Sequence, residues 1–220
     1  FSLFRSLLLN VRSLSSLAPI PQHDSLQEGA LNEQCILVDE NDVPSGYSSK
    51  RSCHRVDSAG KVKLHRAFSV FLFNSDGDML LQRRSVHKVT ISDFTLDLIA
   101  KRISHGPAEA QLRTGNSLRP ENFHYLTRIH YQNPGDGIWG EHEIDYILFL
   151  QKNVDIHPNP NEVSEVRFIK RKQLDDEIRN LDAPLTPWFQ LILKHRLKTW
   201  WDNLHHLKKF EDVNNIQRFA

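Results

Sequence analysis

The sequence predicts an α+β fold, a single domain in which a mixed β-sheet is flanked by helices. Three observations predict it. Short apolar runs of strand length recur between turn signals, at Cys35-Ile-Leu-Val38, Ala67–Phe73 and Ile144–Leu150. Asp76-Gly77 marks a central hairpin between Ala67–Phe73 and Met79–Gln82. One clear amphipathic helix lies late in the chain.

Composition sets the outer bounds. A chain of 220 residues, 39% hydrophobic and 25% charged, can bury one ordinary core. A net charge of +1 leaves no broad footprint for nucleic acid. No apolar run reaches the length of a membrane span, so neither nucleic acid nor membrane is an expected partner. Two cysteines, Cys35 and Cys53, lie outside any paired motif and read as reduced thiols inside a cell. Twelve histidines exceed chance expectation, and metal or phosphate chemistry is one use for them.

Residues 1–23 hold Arg5, Arg12 and five serines but no acid, with Pro19 and Pro21 marking a linker. That composition fits an organelle transit peptide as well as an unstructured N-terminus. The chain starts at Phe1 rather than Met, so these residues are expected to belong to a longer precursor. A first strand, Cys35–Val38, runs into turn chemistry at Asp39–Asp42 and Pro44–Gly46. Lys50-Arg-Ser-Cys-His54 follows, and then a polar loop with Gly60. Leu64-His65-Arg66 opens the strong strand Ala67–Phe73, and Met79–Gln82 returns beside it to end in Arg83-Arg84. The pattern weakens from Ser85 to Asn122. Phe123–Tyr131 reads as a strand, Asn133–Gly137 as a turn, His157–Asn161 as a loop, Glu165–Ile169 as a short strand and Arg171–Asn180 as a polar helix. The last helix has Thr186 as N-cap and Pro187 in its first turn. Trp188, Leu191, Ile192, Leu197, Trp200, Trp201 and Leu204 recur near helical spacing, and Trp200 and Trp201 read as core.

The chemistry concentrates in Gly137-Ile-Trp-Gly-Glu-His-Glu-Ile-Asp-Tyr146. On a strand Glu141 and Glu143 share a face and His142 takes the other. Paired carboxylates raise each other's pKa unless a cation sits between them, so a divalent metal or a proton held for acid–base work would explain them. Two ordinary surface glutamates at a solvated strand end are the commoner explanation of such a pair. His54, His65 and His105 are the candidate imidazoles. With carboxylates they suit zinc, manganese or iron, although their spacing fits no compact ligand motif.

Several strings go further. Cys35-Ile-Leu-Val-Asp-Glu-Asn, Cys53-His, Leu64-His-Arg-Ala-Phe-Ser-Val-Phe-Leu-Phe-Asn74, Tyr125-Leu-Thr-Arg-Ile-His-Tyr131, Asp136-Gly-Ile-Trp-Gly-Glu-His-Glu-Ile-Asp-Tyr-Ile147, Thr186-Pro-Trp188 and Lys198-Thr-Trp-Trp-Asp-Asn-Leu204 resemble type 1 isopentenyl-diphosphate Δ-isomerase, a Nudix-fold enzyme. The likeness covers roughly residues 32–88 and 121–210. It implies a Nudix-like mixed sheet over 32–210, with 1–31 as an N-terminal extension and 211–220 as a C-terminal tail. It also implies a metal held by His54, His65, His105, Glu141 and Glu143. Glu143 would work on the alkene, assisted by Tyr131, while the Trp188 indole stabilises a carbocation. Lys50, Arg84 and Lys88 would grip the diphosphate. The implied cofactors are Mg²⁺ with the diphosphate and Zn²⁺ or Mn²⁺ at the His/Glu site. The implied partner is a prenyl diphosphate and the implied state a monomer. The implied location is intracellular: mitochondrion or another organelle if residues 1–23 are a transit peptide, otherwise cytosol or peroxisome.

Two departures qualify the likeness. The family has its catalytic cysteine in a Cys-x-His context, and this chain reads Ile103-Ser-His105. His105 also lies further from His65 than its counterpart does. The long helix that carries the family's Nudix glutamates has no room between Gly106 and Glu121, where Glu109 is a thin replacement. The match fails and returns abruptly over residues 89–120. A working isomerase with a substituted acid therefore stands beside an inactive relative, or a defective splice product, that at most binds a prenyl diphosphate. A Nudix-type diphosphate hydrolase is disfavoured, because its metal-holding glutamates are absent.

Overall fold

A computed structural model of the chain describes residues 25–85, 96–97, 110–113, 118–160 and 162–219. In chain order its elements are α1 (Ser25–Asn32), β1 (Gln34–Val38), β2 (Pro44–Ser49), α2 (Lys50–His54), β3 (His65–Phe73), β4 (Met79–Arg84), β5 (Leu96–Asp97), β6 (Ala110–Arg113), β7 (His124–Asn133), β8 (Glu141–Gln151), β9 (Asp155–Pro158), β10 (Val163–Ile169), α3 (Leu174–Arg179), α4 (Pro187–Ile192), α5 (Lys198–Asp202) and β11 (Asp212–Arg218).

The main sheet runs β10-β4-β3-β8-β7-β11, with β3–β8 and β7–β11 parallel and its other neighbours antiparallel. The mixed α+β sheet expected from sequence is therefore present. β8 is central because its sequence alternates on one face and is apolar on both toward its end, which suits a strand covered from both sides. Its inner face continues through the core residues Ile147 and Phe149, and the Phe149 ring meets Phe71, Phe73 and Trp200; Phe71 and Phe149 stack at 5.0 Å. Trp201 Nε1 donates to the Gly77 carbonyl at 2.7 Å, tying α5 to the β3–β4 turn, where Gly77 has φ +79°. Trp200 and Trp201 are core residues, as the sequence suggests.

Some segments differ from the sequence reading. The His157–Asn161 loop is shortened, because Asp155–Pro158 pairs as β9 with β6. Lys50–His54 is helical: Ser49 caps it by accepting from Ser52 N at 3.3 Å. The single late helix is two α segments, α4 and α5, joined by a π turn at Leu193–Leu197. Residues 211–220, set aside as a tail, include β11 on the edge of the sheet.

A buried carboxylate fastens the β1–β2 turn to the outer face of the sheet. Asp42 has φ +66°, a left-handed conformation that aspartate tolerates better than most residues. Arg66 Nε donates to Oδ1 at 2.6 Å, Arg128 Nη1 to Oδ2 at 2.8 Å, and the Tyr146 hydroxyl to Oδ2 as well. Burial pushes the Asp42 carboxyl up, but the Tyr146, Arg66 and Arg128 donors outweigh it and hold the group below the usual carboxylate range. A depressed folded-state pKa means stability that is present above the unfolded value of about 3.9 and lost as pH falls through the folded value. Asp42→Asn keeps the turn conformation and removes the charge. It is expected to lower stability by about 2 kcal/mol at neutral pH, with a smaller deficit in acid. Urea unfolding of both proteins at neutral and acid pH checks this.

Candidate metal and catalytic site

The site grows from one end of the parallel β3–β8 pair, where His65 lies in register with Glu143. β7 brings Tyr131 into register with Glu143 from the other side. α2 brings His54 in from above, clamped twice: Gly140 N donates to the His54 carbonyl at 2.9 Å, and His54 Nδ1 lies 3.0 Å from the Gly140 carbonyl.

Glu141 and Glu143 are only 4% and 3% exposed, so the surface-glutamate explanation is overturned. They lie on the inner face because the strand alternates, and His142 points outward, its Nε2 2.9 Å from that of His130. Asp145 continues the same inner row and is 4% exposed. The signal for it in the sequence is its period-two spacing from Glu143.

His54 Nε2 and His65 Nε2 lie 3.8 Å and 3.4 Å from Glu143 Oε1, long for direct hydrogen bonds. Their rings meet edge-on with centroids 4.9 Å apart. Each Nδ1 faces a backbone carbonyl, Gly140 for His54 and Lys63 for His65, both at 3.0 Å. A carbonyl can only accept, so each Nδ1 carries a proton, and in the neutral imidazole the Nε2 lone pair is the atom that faces Glu143. Burial works to lower the His65 pKa, but the Glu143 carboxylate and the Lys63 carbonyl raise it above its ordinary value. His54, His65 and Glu143 offer ligand atoms within 4.8 Å of one another, all buried. Two neutral imidazoles and a carboxylate are a donor set for a divalent metal, and the residues present fit one.

Among the other expected residues, Glu141 is buried on the same strand face but lies outside that three-residue group. His105 and Lys88 fall outside the described residues. Lys50 opens α2, and Arg84 is buried at the end of β4. Trp188, 5% exposed, is the first aromatic of α4; its ring meets Phe71 edge-on at 6.2 Å. Tyr131, Asp145 and Trp188 line one small cavity between the sheet and α4.

Comparison with known proteins adds a second line. A family model described as NUDIX domain matches residues 109–189. Isopentenyl-diphosphate Delta-isomerase 1 of Mesocricetus auratus is 42% identical over 89% of this chain and 96% of its own length. The isopentenyl-diphosphate delta-isomerase of Gibberella zeae is 38% identical over 93% of this chain and 90% of its own. The one from Schizosaccharomyces pombe is 36% identical over 91% and 97%.

Proposed function

The chain belongs to the isopentenyl-diphosphate Δ-isomerase family, and from that premise we propose that it converts isopentenyl diphosphate to dimethylallyl diphosphate for isoprenoid biosynthesis. The observation that carries the reading is the buried His54–His65–Glu143 group with Tyr131 in register beside Glu143.

The reaction adds a proton to the alkene and removes another from the neighbouring carbon, through a tertiary carbocation. Glu143 moves the proton, close to Tyr131 across the strand pair. Trp188 offers a π-face that attracts the cation. Burial of the site excludes water, which would otherwise trap that cation as an alcohol. His54, His65 and Glu143 would hold Zn²⁺ or Mn²⁺, with Glu141 and His105 completing the set. Such a metal supplies positive charge that fixes the Glu143 carboxylate and tunes its proton affinity. Lys50, Arg84 and Lys88 grip the diphosphate, which Mg²⁺ accompanies.

The absence of a cysteine at Ile103 favours a second reading, a relative that binds the diphosphate without turning it over. One assay separates the two. The protein is given isopentenyl diphosphate with Mg²⁺ and Zn²⁺, and the acid-labile dimethylallyl product is measured. Turnover is the expected result, lost after chelation and restored by Zn²⁺ or Mn²⁺. Binding without turnover would replace the first reading by the second. Absence of both would overturn the assignment of function.

A further inference from the structure

His130 on β7 and His142 on β8 have no part in the scheme above. Strand alternation turns both away from the Glu141–Glu143 row, onto the outer face of the sheet. There they are diagonal neighbours, His130 in register with Ile144 and His142 with Gln132. Both are half-buried. Their Nε2 atoms lie 2.9 Å apart, and the rings stack with centroids 5.1 Å apart and planes at 17°. His142 Nδ1 faces the Val62 carbonyl at 3.1 Å, so it carries a proton, and in the neutral ring the Nε2 lone pair faces His130. His54 and His65 are oriented in the same way, each with Nδ1 on a backbone carbonyl. Burial and the facing His142 push His130 below the ordinary imidazole value, which favours two uncharged rings. Glu40 and Arg218 act on His130 with opposite sign. The Glu40 carboxylate is 72% exposed and lies 3.9 Å from Arg218 Nη2, so it is not locked in place.

The spacing of the two nitrogens selects a geometry. Nitrogens about 2.0–2.1 Å from one ion are about 2.9 Å apart at a right angle and about 3.3 Å apart at a tetrahedral one. Right-angled imidazole pairs belong to tetragonal ions, Cu²⁺ above all. We propose that His130 and His142 form a second metal site, on the outer face of the sheet, which takes a tetragonal, imidazole-preferring ion of the Cu²⁺ type through the two Nε2 atoms. Water or Glu40 fills the remaining positions. The proton that joins the two rings passes to His130 Nδ1 when the ion enters. The site lies on the opposite face of β8 from Glu143 and shares no residue with the His54–His65–Glu143 group, so it does not rest on the isomerase reading.

The test titrates Cu²⁺ into the full chain, loaded with Zn²⁺ and freed of excess, in a buffer that does not coordinate metal. Calorimetry gives Kd, an indicator dye reports released zinc, and EPR reports the nitrogen ligands of copper. The expected result is one equivalent of Cu²⁺ bound with micromolar Kd, two nitrogens on the copper and no zinc released. His130→Ala and His142→Ala are each expected to weaken binding by about tenfold or more, while Gln132→Ala, exposed beside them on the same face, leaves it unchanged. Zinc retained by His130→Ala shows that this variant is folded. Copper binding unchanged in His130→Ala, copper uptake matched by zinc release, or no copper bound by the wild type would each overturn the proposal and leave the two rings joined by a hydrogen bond only.

Discussion

Glu143→Gln is expected to lower kcat by about a thousandfold or more. Glutamine has the same shape but cannot carry a proton to or from carbon. It also presents one neutral oxygen, or an NH₂ group, to His54 and His65 in place of a charge that lies 3.8 Å and 3.4 Å from their Nε2 atoms. Metal content should therefore fall together with rate. The fold should persist, because Glu143 lies at the start of β8 and the aromatic core lies beyond Ile147. Initial rates, metal analysis and a thermal melt on one preparation separate these effects. Full turnover in this variant would mean that the roles assigned to Glu143 are wrong.

The second large effect is expected from Gly135→Ala, at a residue outside the His54–His65–Glu143 group. Gly135 has φ +66°, and a Cβ there would fall 1.7 Å from the Trp139 carbonyl oxygen and 2.7 Å from its carbon. Backbone must move. The turn is held tightly: Asp136 Oδ1 accepts from Ile138 N at 2.8 Å and Trp139 N at 2.7 Å, and Asp136 N donates to Trp139 O at 3.2 Å. Trp139 adjoins Gly140, the partner that orients His54. The substitution is expected to cost about 3 kcal/mol of stability and to weaken metal binding. Gly137→Ala is the control. It has φ +86° but open space where the Cβ would go, so only the conformational cost of about 1 kcal/mol is expected. Chemical unfolding and zinc titration of both variants check this pair; equal effects would mean that the close approach to Trp139 is unimportant.

The local and periodic parts of this molecule were legible in its sequence. Alternation alone put Glu141 and Glu143 on one face and His142 on the other, and the apolar run after them marked β8. Long-range closure was not legible. The His54–Gly140 clamp joins residues 86 apart, and Asp42 meets Arg128 across the same separation. Neither leaves a local pattern. β11 was hidden because Asp212-Val-Asn-Asn-Ile-Gln-Arg218 is too polar to read as a strand; among the described residues it lies at the end of the sheet, paired with β7. β9 was hidden by Pro158, which is tolerated because β9 is an edge of the two-stranded β6–β9 sheet. Asp145 continues the period of Glu141 and Glu143 along β8, so its burial follows from the same alternation.

The proposed isomerisation adds one proton to a carbon and removes another without breaking a phosphate bond. Incubation of the metal-loaded protein with isopentenyl diphosphate in D₂O, followed by NMR of the recovered diphosphate, tests it most directly. The expected product is dimethylallyl diphosphate with deuterium in the methyl group formed from the terminal methylene, and no released phosphate. Unlabelled, unchanged isopentenyl diphosphate, or free phosphate in its place, would contradict it.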